Sequence, residues 1–220
     1  METEYKLTFK DEEELFGILD ADWFYNICME HEDQEAVKLS STYYDTPDHK
    51  MIKRGGSIRV RNISDSDEEE ETYEHTIKLG GKVENGLHQR YEWNVKTFSK
   101  NFDKEEFLEG ISRSEDPSDI LTSALDGIDE DELIPLCKTK FNRTVYTFGY
   151  GDSIMEACFD VGKLSAGDKS EPICELELEL ISGDVVDLMD MANYIVSKTN
   201  AKFSNDSKFK RCLLLLEEES

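Results

Sequence analysis

The sequence of 220 residues lacks several features that would place it quickly in a common class of protein. It has no basic excess, because 25 Lys and Arg stand against 50 Asp and Glu, for a net charge of −25. This balance argues against a nucleic-acid binder with a basic surface and against attraction to an anionic membrane. The chain also has no apolar run of membrane-spanning length and no signal-peptide pattern at its start.

The cysteines show no pairing pattern either. There are five of them, an odd number, and none forms a CxxC pair. Isolated thiols of this kind are typical of reduced side chains in a cytosolic protein, and they disfavour a zinc site. The nucleotide-binding loops GxGxxG and GxxxxGK[ST] are also missing. Together these absences predict a cytoplasmic location and no nucleic-acid or membrane partner.

What the chain does contain is a set of strand-like segments that have one charged face and one apolar face. Side chains alternate between the two faces of a strand, so Glu2, Glu4 and Lys6 share a face in ETEYK. Arg59 and Arg61 share a face in the same way in SIRVR. The simplest arrangement is a closed antiparallel barrel with a polar lumen and an apolar exterior that other elements cover.

Hydrophobic periodicity and turn residues place the elements along the chain. Strands are expected at residues 2–9, 37–44, 57–63, 72–80, 86–97, 137–149, 153–161, 172–181 and 208–216. Helices are expected at 11–20, 23–29, 103–111, 118–126 and 185–198. The acidic stretch 62–72 reads as an exposed hairpin loop, and a turn is expected near 165–168. The pattern predicts an α+β protein that forms a single domain over residues 1–220, dominated by the barrel.

Two acidic motifs suggest a metal site. ETEYK alone also fits a solvated edge strand, but CELELEL stacks three like charges on one face, where they repel unless a cation lies opposite. Mg²⁺ and Mn²⁺ prefer carboxylate oxygens, so a divalent cation fits both motifs if they converge in the lumen. The carboxylates concerned are Glu2, Glu4, Glu175, Glu177 and Glu179.

Basic residues recur on the charged faces of other segments. Each one alone could be a surface salt-bridge residue. As a set spread around a lumen, they suit a linear polyphosphate better than a single phosphate, because Arg and Lys bind phosphate oxygens strongly. The set comprises Arg59, Arg61, Lys78, Arg90, Arg143 and Lys208.

Taken in order along the chain, these motifs resemble the CYTH, or triphosphate tunnel metalloenzyme, superfamily. The matching segments are ETEYK, SIRVRN, HTIKLGG, GLHQRYEWNV, FNRTVY, EPICELELEL and NDSKFKR. GLHQRYEWNV and EPICELELEL look most like the bacterial inorganic triphosphatase branch. The resemblance implies a closed eight-stranded antiparallel barrel with flanking helices, a requirement for Mg²⁺ or Mn²⁺, and a small triphosphate substrate.

The resemblance also implies roles for individual residues. The five glutamates would bind metal, with Glu4, Lys6 and Glu177 at the catalytic centre. Lys6 would join the six basic residues in holding phosphates. The roles of Lys163, Glu92 and Asp160 stay open at this point, as does the oligomeric state, for which a homodimer is one option.

The sequence therefore predicts a metal-dependent inorganic triphosphatase that hydrolyses tripolyphosphate to pyrophosphate and phosphate. One alternative is a class IV-type adenylyl cyclase, or a thiamine or nucleoside triphosphatase, with the same fold. Another is a non-catalytic module that binds polyphosphate. The full carboxylate set argues against this last alternative, because a simple anion binder gains nothing from glutamates that face its ligand.

Overall fold

The computed structural model describes residues 1–28, 34–64, 71–113 and 118–217. The strands are β1 (Glu2–Thr8), β2 (Gln34–Asp45), β3 (Gly56–Ser64), β4 (Thr72–Glu84), β5 (Leu87–Thr97), β6 (Ile134–Tyr150), β7 (Ser153–Ala166), β8 (Lys169–Ser182) and β9 (Lys202–Phe203). The helices are α1 (Glu12–Phe16), α2 (Asp22–Cys28), α3 (Lys50–Lys53), α4 (Lys104–Ser112), α5 (Asp119–Leu125), α6 (Val185–Lys198) and α7 (Lys208–Glu217), with a 3₁₀ turn at Glu130–Glu132.

Strands β1 to β8 form a closed barrel. They are hydrogen-bonded in the order β5-β4-β3-β2-β6-β7-β8-β1, and β1 also pairs with β5 to complete the circle. All of these pairings are antiparallel. The predicted fold class, a closed eight-stranded antiparallel barrel with flanking helices, is confirmed. A barrel of this size has an interior that side chains can fill or that can hold one small ligand.

The outer face of the barrel is apolar and covered by helices, as the alternation predicts. On one side, Phe159, Leu176 and Leu178 pack with residues of α1, α2 and α6. On the other side, Ile58 and Ile77 pack with residues of α3, α4 and α5. Within the described part of the chain, no helix combines the length and apolar character that crossing a membrane would need.

Truncating the outer core should be costly. Phe159 is fully buried among Phe16, Phe24 and Tyr146. We expect Phe159→Ala to lower the free energy of unfolding by about 3–5 kcal/mol, because it removes apolar contact and leaves a cavity. The matched control is Phe98→Ala, whose side chain is 73% exposed and should change stability by less than about 0.5 kcal/mol. Urea denaturation of both variants measures the difference, and equal losses would contradict this account of the core.

The lumen is polar over only part of its wall, which corrects the expectation of a wholly polar interior. On β2, β6, β7 and β8 the inward side chains include apolar ones that form a third buried cluster with α7. Phe141 of β6 lies at the boundary of this cluster. Its ring faces the charged groups of Arg61, Arg143 and Lys208 at 5.7, 5.6 and 4.9 Å from the ring centroid. Helix α7 therefore fills one side of the lumen.

The predicted strand at residues 208–216 is wrong, because this segment is helix α7. Helical spacing puts Lys208, Arg211 and Cys212 on one side, three and four residues apart, whereas a strand would pair Lys208 with Lys210. Lys208 and Cys212 are buried, while the Lys210 side chain is 58% exposed. The apolar run Leu213–Leu216 favoured a strand, but a helix is the form that fits inside a closed barrel.

The other predicted elements differ from the structure mainly at their ends. The expected helix at 11–20 is interrupted after Phe16, and α2 begins at Asp22. Strand β7 continues to Ala166, so the predicted turn is reduced to the two residues before Lys169. The helix at 185–198 is confirmed. Of the predicted acidic loop, residues 65–70 lie outside the described residues, as does Met29 of the expected second helix.

Candidate active site

The ETEYK motif of β1 faces the lumen. Glu4 and Lys6 are 2% and 3% exposed, and the Lys6 Nζ lies 3.1 Å from Glu4 Oε1. The same ammonium also donates to Glu177 of the neighbouring strand β8, because Lys6 and Glu177 are register partners. Burial alone would lower the pKa of Lys6, but Glu177 and Glu4 outweigh it and raise the pKa, so the ammonium stays charged.

Two cations from β4 and β5 hold the start of β1. Arg90 donates from Nε to Glu2 Oε2 and from Nη2 to Glu4 Oε1, both at 2.6 Å. Lys78 donates to Glu2 Oε1 at 2.9 Å and pairs with Glu92 Oε2 at 2.5 Å. Acidic and basic residues that were predicted from the sequence therefore form direct ion pairs where β1 faces β4 and β5.

Glu177 lies at the centre of the charged wall. It accepts from Lys6, from Arg143 Nη2 at 2.5 Å and from Lys208 Nζ at 2.9 Å. Burial would raise the pKa of this carboxyl, but Lys208, Lys6 and Arg143 together hold it well below its usual range. Glu177 is therefore a carboxylate at neutral pH and is ready to act as an oxygen ligand.

Glu179 has the opposite environment. Burial raises its pKa to about 7, with Glu2, Glu4 and Glu92 adding repulsion that Lys78 only partly offsets. Among the described residues no cation lies within ion-pair distance of Glu179, although Arg90 and Lys78 pair with the neighbouring Glu2 and Glu4. Carboxylate oxygens are the ligands that a hard divalent cation prefers. With Glu2 and Glu4, which line the same cavity, Glu179 gives this part of the wall carboxylate oxygens of the type that a divalent cation binds.

A second carboxylate group lies deeper. Oxygens of Asp160, Glu175 and Glu177 lie within 4.8 Å of one another. The Lys208 ammonium sits among them, 2.7 Å from Asp160 Oδ2 and in contact with Glu175. Arg211, one turn along α7, donates to Glu175 Oε2 at 3.0 Å. Here helix α7 supplies the cations, whereas Glu179 has no described cation within ion-pair distance.

Arg59 and Arg61 form a basic wall opposite the acidic one, and Arg143 joins the two walls through its pairs with Asp160 and Glu177. Arg61 donates from Nε to Ser41 Oγ at 3.1 Å, and its nearest carboxylate oxygen, on Glu74, lies 4.0 Å from Nη1. Burial, followed by repulsion from Arg59 and Arg143, lowers the pKa of Arg61 to about 10. A cluster of guanidinium groups in a cavity, in which Arg61 lacks a close carboxylate, favours a polyanionic ligand.

One cavity of about 510 Å³ joins these groups. Every residue that the sequence predicted for the site lines it, except Glu175. Glu175 is 1% exposed and lies behind Lys208 and Arg211. Lys208 does reach the site, although from a helix and not from the charged face of a strand.

The structure adds four residues that the sequence reasoning left open or missed. Glu92 lines the cavity beside Lys78, and Asp160 pairs with Arg143 and Lys208. Glu74 faces the arginines. It could have been predicted from the sequence, because it alternates with Thr76 and Lys78 and so shares their strand face. Arg211 could not be found while its segment read as a strand. Lys163, whose role was also open, is exposed.

The chain is similar in sequence to known proteins along most of its length. The family model described as the CYTH domain matches residues 1–213. An inorganic triphosphatase of Haemophilus influenzae is 35% identical over 187 residues, which cover 85% of this chain but 47% of that protein. The chain thus spans about half the length of this curated relative.

Solved structures share the fold. A Hippeastrum protein described as having a dominant triphosphatase activity aligns with a TM-score of 0.64 and 16% identity, over 95% of this chain and 93% of the other. A Pyrococcus horikoshii protein aligns with a TM-score of 0.53 and 16% identity, over 98% and 99% of the two chains. With a barrel of matching architecture and a family model that covers nearly all of its length, this chain belongs to the CYTH domain family.

Proposed function

We propose that this protein is a metal-dependent inorganic triphosphatase that hydrolyses tripolyphosphate to pyrophosphate and phosphate within the barrel. The observation that carries the proposal is the meeting of an acidic wall and an arginine wall in one cavity of about 510 Å³. A triphosphate needs cations along its length, and its hydrolysis needs the attacking water to be positioned and activated. The 35% identity to the Haemophilus inorganic triphosphatase supports the same substrate class.

The acidic wall would hold the metal. Glu2, Glu4, Glu177 and Glu179 supply cavity-facing carboxylates, and Glu175 is the proposed ligand that lies deepest. A bound Mg²⁺ or Mn²⁺ would neutralise phosphate oxygens and lower the pKa of a coordinated water. Glu4, Lys6 and Glu177 form the proposed catalytic centre, where Lys6 keeps Glu177 and Glu4 oriented through its ammonium.

The basic wall would hold the phosphates. Arg59, Arg61 and Arg143 lie where a polyphosphate chain can receive several charge-assisted hydrogen bonds. Lys78, Arg90 and Lys208 pair with carboxylates of the acidic wall, so they would contact the phosphate groups that lie nearest to that wall. In this scheme the protein positions the substrate and offsets its charge, and no side-chain nucleophile is required.

A substrate panel tests the proposal directly. Phosphate release from tripolyphosphate, ATP and thiamine triphosphate is measured side by side, with Mg²⁺, with Mn²⁺ and with EDTA. We expect tripolyphosphate to be the best substrate and EDTA to abolish turnover. Cyclic AMP formation from ATP, or preference for an organic triphosphate, would favour the other activities of this fold, and binding without turnover would favour a non-catalytic module.

Removing one arginine should weaken substrate binding more than it slows chemistry. Arg59 faces the cavity with its Nη2 2.9 Å from Glu74 Oε1. We expect Arg59→Ala to raise KM for tripolyphosphate by about tenfold or more, because a charge-assisted contact to phosphate is lost. Steady-state kinetics measure this, with the exposed Arg113→Ala as the charge-matched control. An unchanged KM would remove Arg59 from the phosphate-binding set.

A single domain over residues 1–220 and a cytoplasmic location are further parts of this proposal. The absence of a nucleic-acid partner and the option of a homodimer likewise stay predictions. The described strands form one continuous barrel, which supports the single-domain view.

A further inference from the structure

Glu74 is a carboxylate on the otherwise basic wall of the cavity. It projects from β4, and its Oε1 lies 2.9 Å from Arg59 Nη2 and 4.0 Å from Arg61 Nη1. Its side chain is 17% exposed, so it faces the cavity and is not sealed in the core. It belongs neither to the group of Asp160, Glu175 and Glu177 nor to the carboxylates around Glu179.

The strand register fixes where Glu74 lies along the cavity. The inward residues of β4 run from Lys78, which contacts Glu2 and Glu92, through Thr76 to Glu74. Glu74 is four residues from Lys78, or about 13 Å along the strand at about 3.3 Å per residue. A polyphosphate that starts at the acidic wall and extends along Arg59 and Arg61 therefore reaches Glu74 last.

The cavity opens toward solvent beside Glu74. Arg59 divides its Nη2 between Glu74 and Thr76 Oγ1, and Thr76 donates to Asn94 Oδ1. Asn94 is exposed and lines the cavity, so the space continues toward solvent beyond this point. Lys96, the register partner of Glu74, is exposed and lies outside ion-pair distance of it. The opening itself therefore sets no steric end to a bound polyphosphate chain.

We propose that Glu74 is a specificity-determining residue that limits the length of the polyphosphate chain. A triphosphate fits between the acidic wall and Glu74, while a further phosphate group would be brought against the carboxylate and repelled. This inference rests on the proposed triphosphatase function, since it assigns the far end of the same site.

The test compares tripolyphosphate with tetrapolyphosphate in wild type and in Glu74→Gln. We expect the ratio of kcat/KM for tetrapolyphosphate to that for tripolyphosphate to rise by about tenfold in the variant, a change of about 1.4 kcal/mol in discrimination. Glu74→Asp keeps the charge and should keep the ratio closer to that of wild type than Glu74→Gln does.

Glu84→Gln is the matched control. Glu84 is on the same strand β4 and loses the same charge, but it is 59% exposed and pairs with Lys82 outside the cavity. It should leave the ratio unchanged. A ratio in Glu74→Gln equal to that of wild type would overturn the proposal, as would an equal fall in kcat/KM for both substrates, since that would show Glu74 merely positions Arg59.

A binding measurement separates this inference from the proposed function. Isothermal titration of metal-free protein with each polyphosphate gives the ratio of dissociation constants without turnover. If wild type fails to hydrolyse tripolyphosphate, the proposed function fails, yet a shift of this binding ratio in Glu74→Gln would still support length selection. An unchanged ratio of dissociation constants would contradict length selection by Glu74 even if the protein hydrolyses tripolyphosphate.

Discussion

Replacing Glu177 with glutamine is expected to lower the turnover of tripolyphosphate by at least about a hundredfold, while the barrel stays folded. Glu177 is the carboxylate on which Lys6, Arg143 and Lys208 converge. Glutamine has nearly the same shape but no charge, so it is a poor metal ligand and no longer orients the Lys6 ammonium.

The fold should survive this change because each of the three cations keeps another partner. Arg143 and Lys208 still contact Asp160, and Lys6 still contacts Glu4. Turnover is measured at saturating Mg²⁺ and Mn²⁺, and folding is checked by circular dichroism. The exposed Glu105→Gln on α4 is the control and should retain wild-type turnover. Near-normal activity of Glu177→Gln would exclude Glu177 from the catalytic centre.

Among substitutions that remove a single charge, Lys208→Met should lower the stability of the protein most. The ammonium bridges Asp160, Glu175 and Glu177, whose oxygens lie within 4.8 Å of one another. Without it, the three buried carboxylates repel one another more strongly, with only Lys6, Arg143 and Arg211 left to offset their charge. This costs about 3 kcal/mol or more and lowers Tm by roughly 6 °C or more for a chain of this size. Differential scanning calorimetry measures this loss.

The same variant offers a test of cation binding that does not depend on activity. Mg²⁺ or Mn²⁺ should raise the Tm of Lys208→Met by more than that of wild type, because a metal ion can take the vacated position among the carboxylates. Lys210→Met is the matched control, since Lys210 is on the same helix and its ion pair with Asp206 is largely exposed. Equal Tm values for all three proteins would show that the Lys208 contacts contribute nothing to stability.

The barrel could be predicted from the sequence because its signal repeats every two residues. In ETEYK, SIRVR and CELELEL each strand has one charged face and one apolar face, and only one of them can be buried against helices. The same alternation brought Glu2, Glu4, Lys6, Arg59 and Arg61 into one cavity. Local pattern was sufficient here because neighbouring strands share the same two faces.

The contents of the lumen could not be predicted in the same way. KFKRCLLLL suits an apolar strand or an amphipathic helix, and only the closed barrel around it decides between them. For the same reason the sequence did not reveal that Glu175 is shut off from the cavity. Glu175 shares a strand face with Glu177, but α7 lies over it. Asp160 carries no repeating pattern, and its importance comes from Arg143 and Lys208, which are distant in sequence.

The closure of the barrel also has a consequence for synthesis of the protein. Strand β1 lies between β5 and β8, so the first strand made must wait for residues 169–182 before its second edge is covered. Lys208, whose ammonium pairs with the most deeply buried carboxylates, is made later still, as part of α7. On the ribosome β1 therefore keeps one edge open until β8 has been made, and the pocket cannot be completed before α7 has followed.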